Sequence, residues 1–489
     1  MPSSPHLVLP RSHLAFPGDG SFITLTVLCA LAANFLIAYG HDQQRCIEIV
    51  ALCVIAMIAL VRIARGKMPA VPISVGIPLL AFVALGLASV ATALSLRHAV
   101  NEWSTLLLLL LLVFAIADEL AGNSKRLHGV LRWIGITCAL YSLLVMVVYL
   151  MALASGFQPD GFVLSVGFSN YRFLNHTQTA LMPLIILLCV TVPMTDRWRK
   201  AWFVLAAFWW AILFVTEARA SVLALAVGCA IAFGLRRAHA RPVLAMMTKT
   251  ALAGIVLYAV IFLLLPLLFG LQPVGSLSNV VARTVANPAS DRLLLWKLAL
   301  DLIAAHPWLG VGPQHFAHEG AKLYAGAHPH NWILQIAAEW GIPALLCALG
   351  TIAFAARTLL RTGARVADSD LVNQSTFACL LVTCTAIFAD GLLSGVIVMP
   401  QSQLAIVLVL GFACAWVRLQ IGGVERVAPV PSSLARAIFI ALLVAGCYGL
   451  LWSAWPDIPA RARGDTLTPA ELAVNPATQW SRMWLAGFF

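Results

Sequence analysis

Charge is what this sequence has least of. Only 10% of its 489 residues are Asp, Glu, Lys or Arg, while 61% are hydrophobic and the mean hydropathy is +0.92. A water-soluble domain carries about 25% charged residues, so a soluble globular fold is excluded. Cysteines are present but badly placed for covalent work. Ten of the eleven lie inside apolar runs, Cys46 lies at the edge of one, and none falls between residues 271 and 330. That placement excludes a disulfide framework and a cysteine metal site, leaving them as small buried hydrophobes. No Walker A or dinucleotide-binding glycine pattern occurs, so nucleotide chemistry is not indicated. Residues 1–20 carry one basic residue, Arg11, and lack the charged, apolar, then small-residue order of a cleaved signal. The first apolar run is therefore expected to remain as a span.

What is present is a succession of apolar runs, at 21–40, 46–62, 71–95, 103–118, 130–154, 176–194, 201–216, 219–235, 250–270, 332–356, 374–395, 402–418 and 435–455. About 20 apolar residues cross a bilayer as a helix. A spanning barrel would instead show strands of alternating polarity. The expected fold is an all-α polytopic membrane protein with about 12–13 transmembrane helices and one large, partly helical outer loop. The expected organisation is an N-terminal membrane bundle over 1–270, the loop over 271–330, further membrane helices over 331–455 and a polar tail over 456–489.

The net charge of +11 is a topology signal. Clusters such as Arg62, Arg65 and Lys67, or Arg197, Arg199 and Lys200, recur at every second connection, and 20 of the 31 Lys and Arg residues fall on that side. Basic loops mark the cytoplasm, which places the N-terminus inside and argues against nucleic acid as a partner. The turn at 216–221, the loop at 155–175, the loop at 271–330, the turn at 396–403 and the tail then lie outside. Within the long loop, residues 290–306 read as a helix capped by Ser290 and stopped at His306-Pro307. Its Leu and Trp side chains suit the membrane interface.

Polar groups gather on that outer side. Arg219 sits between two apolar runs with almost no loop around it, and Arg292 opens the loop helix. Each reads either as an interface charge or as part of an anion site, since guanidinium grips phosphate through two parallel hydrogen bonds. In 326-GAHPHNWILQIAAEWG-341, a helix over 330–340 would align Asn331, Gln335 and Glu339 as one polar stripe. Such a stripe is either glue between membrane helices or support for His330, with His328 the competing base. An edge histidine can accept a proton near neutral pH. Arg172, Asn175 and Gln178 at one run's start, and Asp390 near the turn at 396–403, complete the outer patch. The one D-x-D, Asp368-Ser369-Asp370, falls on the cytoplasmic side. An outer reaction would then stabilise anionic charge with arginine, and neither a metal nor a cofactor is expected.

This pattern resembles the O-antigen ligase superfamily of bacterial envelope glycosyltransferases. His330-Asn331, nine residues and then Gly341 match its His-Asn signature at the end of the large periplasmic loop, with Ala344 where a second glycine is usual. Arg292, Trp296 and 307-PWLGVG-312 match its loop arginine, tryptophan and P-x-x-G-x-G turn, and Arg219 matches an arginine in a tight outer turn. The resemblance implies a metal-independent transfer on the periplasmic face of the bacterial inner membrane. A glycan would move from undecaprenyl pyrophosphate to a hydroxyl of lipid A-core, with inversion. With this resemblance, His330 is expected as the base and Arg219 and Arg292 on the pyrophosphate; by their place on the outer face, His328, Asn331, Gln335, Glu339, Arg172, Asn175, Gln178 and Asp390 are expected in support. Within the family the acceptor can also be a second lipid-linked glycan or an exported protein. A transporter is the reading from another class, but transporters place ionisable groups near the midplane within repeats, and no repeat is evident here.

Overall fold

The computed structural model describes residues 21–161, 163–192, 196–275, 285, 292–322, 326–421, 433–462 and 482–485. Its helices in chain order are α1 (Phe22–Leu36), α2 (His41–Ala64), α3 (Ile73–Thr92), α4 (Leu96–Leu120), α5 (Ser124–Ala154), α6 (Tyr171–Thr191), α7 (Arg197–Val215) and α8 (Arg219–Tyr258). There follow α9 (Arg292–Ala305), α10 (Phe316–Lys322), α11 (Trp332–Trp340), α12 (Ile342–Arg365), α13 (Leu371–Gly391), α14 (Pro400–Ile421), α15 (Ser433–Ala454) and α16 (Ile458–Ala462). The all-helical polytopic architecture expected from the sequence is the one observed.

Eleven helices are long and apolar enough to cross a membrane among the described residues, and α1 is a shorter apolar helix. The difference from thirteen runs has two local causes. The run at 21–40 yields only the 15 residues of α1. The runs at 219–235 and 250–270 belong to one continuous helical stretch, Arg219–Leu268, of 50 residues. At 1.5 Å per residue a straight helix of that length would reach about 75 Å, more than twice a bilayer core. It does not stay straight: Arg236 has non-helical backbone angles (φ −142°, ψ 44°) and breaks α8 into two crossings. Arg236 reaches the ends of α12 and α13, donating to the Gly363 carbonyl at 3.2 Å and Gln374 Oε1 at 3.0 Å. The second half returns to the starting face, where the Ile261 carbonyl accepts from Tyr149 at the far end of α5.

The third boundary difference lies at the loop's end. The run at 332–356 is not one span: α11 stops at Gly341, whose φ of +86° is left-handed, and α12 starts afresh.

Charged groups pair at the two ends of the bundle. At one face Glu119 accepts from the first backbone amides of α1, Ile23 and Thr24, and Arg62 bridges Asp118 and Glu119. At the other face Arg97 meets Asp457 at 2.6 Å and Gln158 meets Gln272. The described residues of the long loop and of the tail lie at this second face. Between the faces, α6 is almost wholly buried and forms the axis against which α7, α8 and α13 pack. Gly228 allows α8 to touch α13 backbone to backbone, since a Cβ there would stand 2.5 Å from the Val382 carbonyl. Close approach through small residues is the usual membrane solution, because lipid tails provide no hydrophobic drive between helices.

Candidate active site

The His-Asn stretch is an irregular turn held by hydrogen bonds at several of its polar groups. Asn331 is the N-cap of α11, its Oδ1 accepting from the Ile333 and Leu334 amides at 3.0 and 3.1 Å. It satisfies two of the amides that a helix start leaves open. His330 therefore lies one residue outside the helix that the stripe argument would start with it. Its φ is +53°, a left-handed conformation uncommon outside glycine. The turn is pinned on three sides. Trp296 of α9 donates to the Pro329 carbonyl at 3.0 Å, the His330 amide donates to His328 Nδ1 at 3.3 Å, and the two imidazole rings meet edge-on at 4.2 Å.

The glycines explain how loop and helix interlock. The Val311 and Gly312 amides donate to the Ala338 and Glu339 carbonyls, and the Ile342 amide donates to the Pro307 carbonyl. At Gly310 (φ +68°) a Cβ would stand 2.3 Å from the Glu339 backbone, and at Gly341 it would stand 2.2 Å from the Trp308 carbonyl. Only glycine fits both the handedness and the space. The P-W-L-G-V-G turn is thus a backbone clasp on the C-terminal end of α11, and it fixes the direction from which α11 presents His330.

Three arginines from three segments share this neighbourhood: Arg172 at the start of α6, Arg219 at the start of α8 and Arg292 at the start of α9. Burial, and then repulsion from Arg172 and Arg219, hold the Arg292 guanidinium below its usual pKa, opposed by Asp390. Its buried Nε has no hydrogen-bond partner among the described residues. An orphaned donor of this kind asks for an acceptor. Burial, then Arg292, Arg172 and His176, bring His330 down to about 3. His328 is depressed as well, by burial first and then by His330, Arg482 and His176. His328 is only 6% exposed while His330 is partly open. The neutral ring able to meet an incoming group is therefore that of His330, and His328 props its backbone.

The remaining sequence-selected residues divide. Asp390 is fully buried, 3.6 Å from His176 Nδ1, and neither of its carboxylate oxygens has a hydrogen-bond partner among the described residues. It belongs to the cationic neighbourhood. Asn175 and Gln178 turn away from it: Asn175 Nδ2 donates to Gln178 Oε1 and Thr216 Oγ1, and Gln178 Nε2 donates to the Trp209 carbonyl. They tie α6 to the turn that carries Arg219. Gln335 and Glu339 also point elsewhere, Gln335 toward Glu102 at 3.5 Å and Glu339 to the Phe316 amide and Arg482. Sequence reasoning gave no role to Glu102 or Arg482. An acid at the start of an apolar helix is a usable signal for Glu102; nothing in the tail's pattern singles out Arg482.

Residues 202–349 match the family model described as O-Antigen ligase. The matched segment contains Arg219, Arg292, the P-W-L-G-V-G clasp, both histidines of the turn and Gly341. No curated protein matches the chain.

Proposed function

We propose, on the premise of this O-antigen ligase domain, that the protein transfers a glycan from undecaprenyl pyrophosphate to a hydroxyl of lipid A-core. The reaction takes place at the periplasmic face of the inner membrane. The observation that carries the reading is the placing of Arg292 and Arg172 beside His330, with Arg219 beside Arg292, whose buried Nε has no hydrogen-bond partner among the described residues. A cluster of like charges beside a neutral base suits a substrate with a diphosphate at its reacting centre. Arg219 and Arg292 hold the pyrophosphate, and Arg172 adds to their field.

The acceptor hydroxyl attacks the anomeric carbon from the face opposite the pyrophosphate and its proton passes to a ring nitrogen of His330. The bond from that carbon to the pyrophosphate oxygen breaks, its electron pair leaves with the lipid pyrophosphate, and the anomeric centre inverts. The arginines stabilise the charge that develops on the leaving oxygen. The imidazolium then releases its proton to solvent. The test is transfer by pure protein given lipid-linked glycan with lipid A-core, with a second lipid-linked glycan, or with pilin. Product with lipid A-core alone supports the reading; product with only another acceptor reassigns it within the family, and none with any acceptor overturns it.

A further inference from the structure

The tail segment 482–485 is keyed into the bundle, and Arg482 is its centre. This arginine is 1% exposed. Its Nε and Nη2 fork onto the Glu102 carboxylate at 3.0 and 2.6 Å, Nη2 also reaches Glu339 Oε2 at 2.6 Å, and Nη1 donates to the Ala327 carbonyl at 3.2 Å. Its own carbonyl accepts from Arg45 Nη2, and the Met483 carbonyl accepts from Arg45 Nε, both at 3.2 Å. Trp484 Nε1 donates to Asp457 Oδ2 at 2.8 Å.

A buried ion cluster is an inefficient stabiliser, because desolvation offsets most of the attraction between its charges. Geometry is what this one provides. Ala327 immediately precedes His328, and Glu339 lies at the far end of α11. One planar guanidinium thus grips the catalytic turn just upstream of its histidines, the helix just downstream and the start of α4. Together with Trp296 on the Pro329 carbonyl and the Asn331 cap, it leaves the turn little freedom. Burial pushes the Glu339 carboxyl up, against the pull of Arg482, so loss of the arginine can be absorbed by protonation without expelling α11.

We propose that Arg482 is a positioning residue, and that the segment 482–485 is part of the scaffold that holds His330 in its left-handed conformation. Arg482 lies outside the matched segment 202–349. The proposal rests on His330 being the base, and its test is built to fail separately from that reading. The measurements are single-turnover transfer, donor affinity and hydrogen exchange of the 326–331 amides for wild type, R482A and R482K. R482A is expected to lose about 10²-fold in turnover, the cost of a misplacement near 1 Å, with donor affinity unchanged and faster exchange confined to 326–331. R482K, which keeps the charge without the fork, should show both effects more weakly and serves if R482A does not fold. Methylguanidinium added to R482A should restore turnover and slow exchange together. Turnover within tenfold of wild type despite faster exchange overturns the proposal, and so does lost turnover with unchanged exchange. Faster exchange in R482A together with full activity in His330→Ala refutes the assignment of the base and leaves the tail's grip on the turn standing.

Discussion

Removing the His330 imidazole tests the chemistry most directly. A positioned general base contributes about 10²–10⁴-fold, or about 2.7–5.4 kcal/mol of barrier at 1.36 kcal/mol per tenfold. His330→Ala should lose that much in turnover at equal expression. Donor binding should persist, because the arginines sit on three other elements. His328→Ala should cost less, since that ring supports the His330 amide at 3.3 Å and is buried. The pH dependence has a defined sign. In the free enzyme His330 is held at about 3, so the basic form persists far below neutrality and kcat/KM should show no acid limb from it between about pH 5 and 8. Bound pyrophosphate offsets Arg292 and Arg172 and raises that pKa, so kcat should fall on the acid side at a higher pH than kcat/KM does. Each profile reports its own state, kcat/KM the free enzyme and kcat the complex. Retention of more than about a tenth of the rate in His330→Ala, against the loss expected of a base, places the base elsewhere. Loss of donor binding with activity makes His330 a binding residue.

Arg219→Lys and Arg292→Lys should each weaken donor binding while the protein still inserts and purifies, because lysine cannot supply two parallel hydrogen bonds; unchanged binding in both reduces them to interface charges. Gly310→Ala meets the Glu339 backbone at φ +68° and should destabilise by about 1–3 kcal/mol of strain, read as a lower apparent Tm in detergent; an unchanged Tm refutes the clasp. A cysteine replacing Lys322, exposed beside the loop, should react with an impermeant maleimide in intact spheroplasts, and one replacing Arg365 should react only after lysis. The reverse pattern inverts the topology and moves the site to the cytoplasm.

Apolar runs made the helices legible because a membrane leaves the chain few options. What they could not show is where one helix continues through a kink: Arg236 breaks α8 without any proline or glycine at that position. The candidate site was legible where the chemistry is local. Arg219, Arg292 and the histidine turn stand out because charge beside apolar runs is costly. The four-residue stripe misled at its first member, because an asparagine before an apolar run can cap as well as line a face. Its other two members form a real stripe, but one that faces Glu102 and Arg482. That partner is separated from Glu339 by 143 positions, and no periodicity reports a contact of that range.

The electrostatics tie these parts into one device. Arg292 is repelled by Arg172 and Arg219, and the opposing charge close by is the buried Asp390, which also lies 3.6 Å from His176. The Arg292 Nε, with no hydrogen-bond partner among the described residues, suits an anion at this place. Burial first, and then Arg292, Arg172 and His176, keep His330 a weak base. A diphosphate bound beside these arginines would offset the repulsion among them and their share of the histidine's depression. In the proposed complex, proton affinity at His330 would therefore rise when the leaving group is in place. The turn must stay rigid for this to work, since an imidazole free to swing away would escape the field that governs it. Trp296, the Asn331 cap and Arg482 are the groups that deny it that freedom.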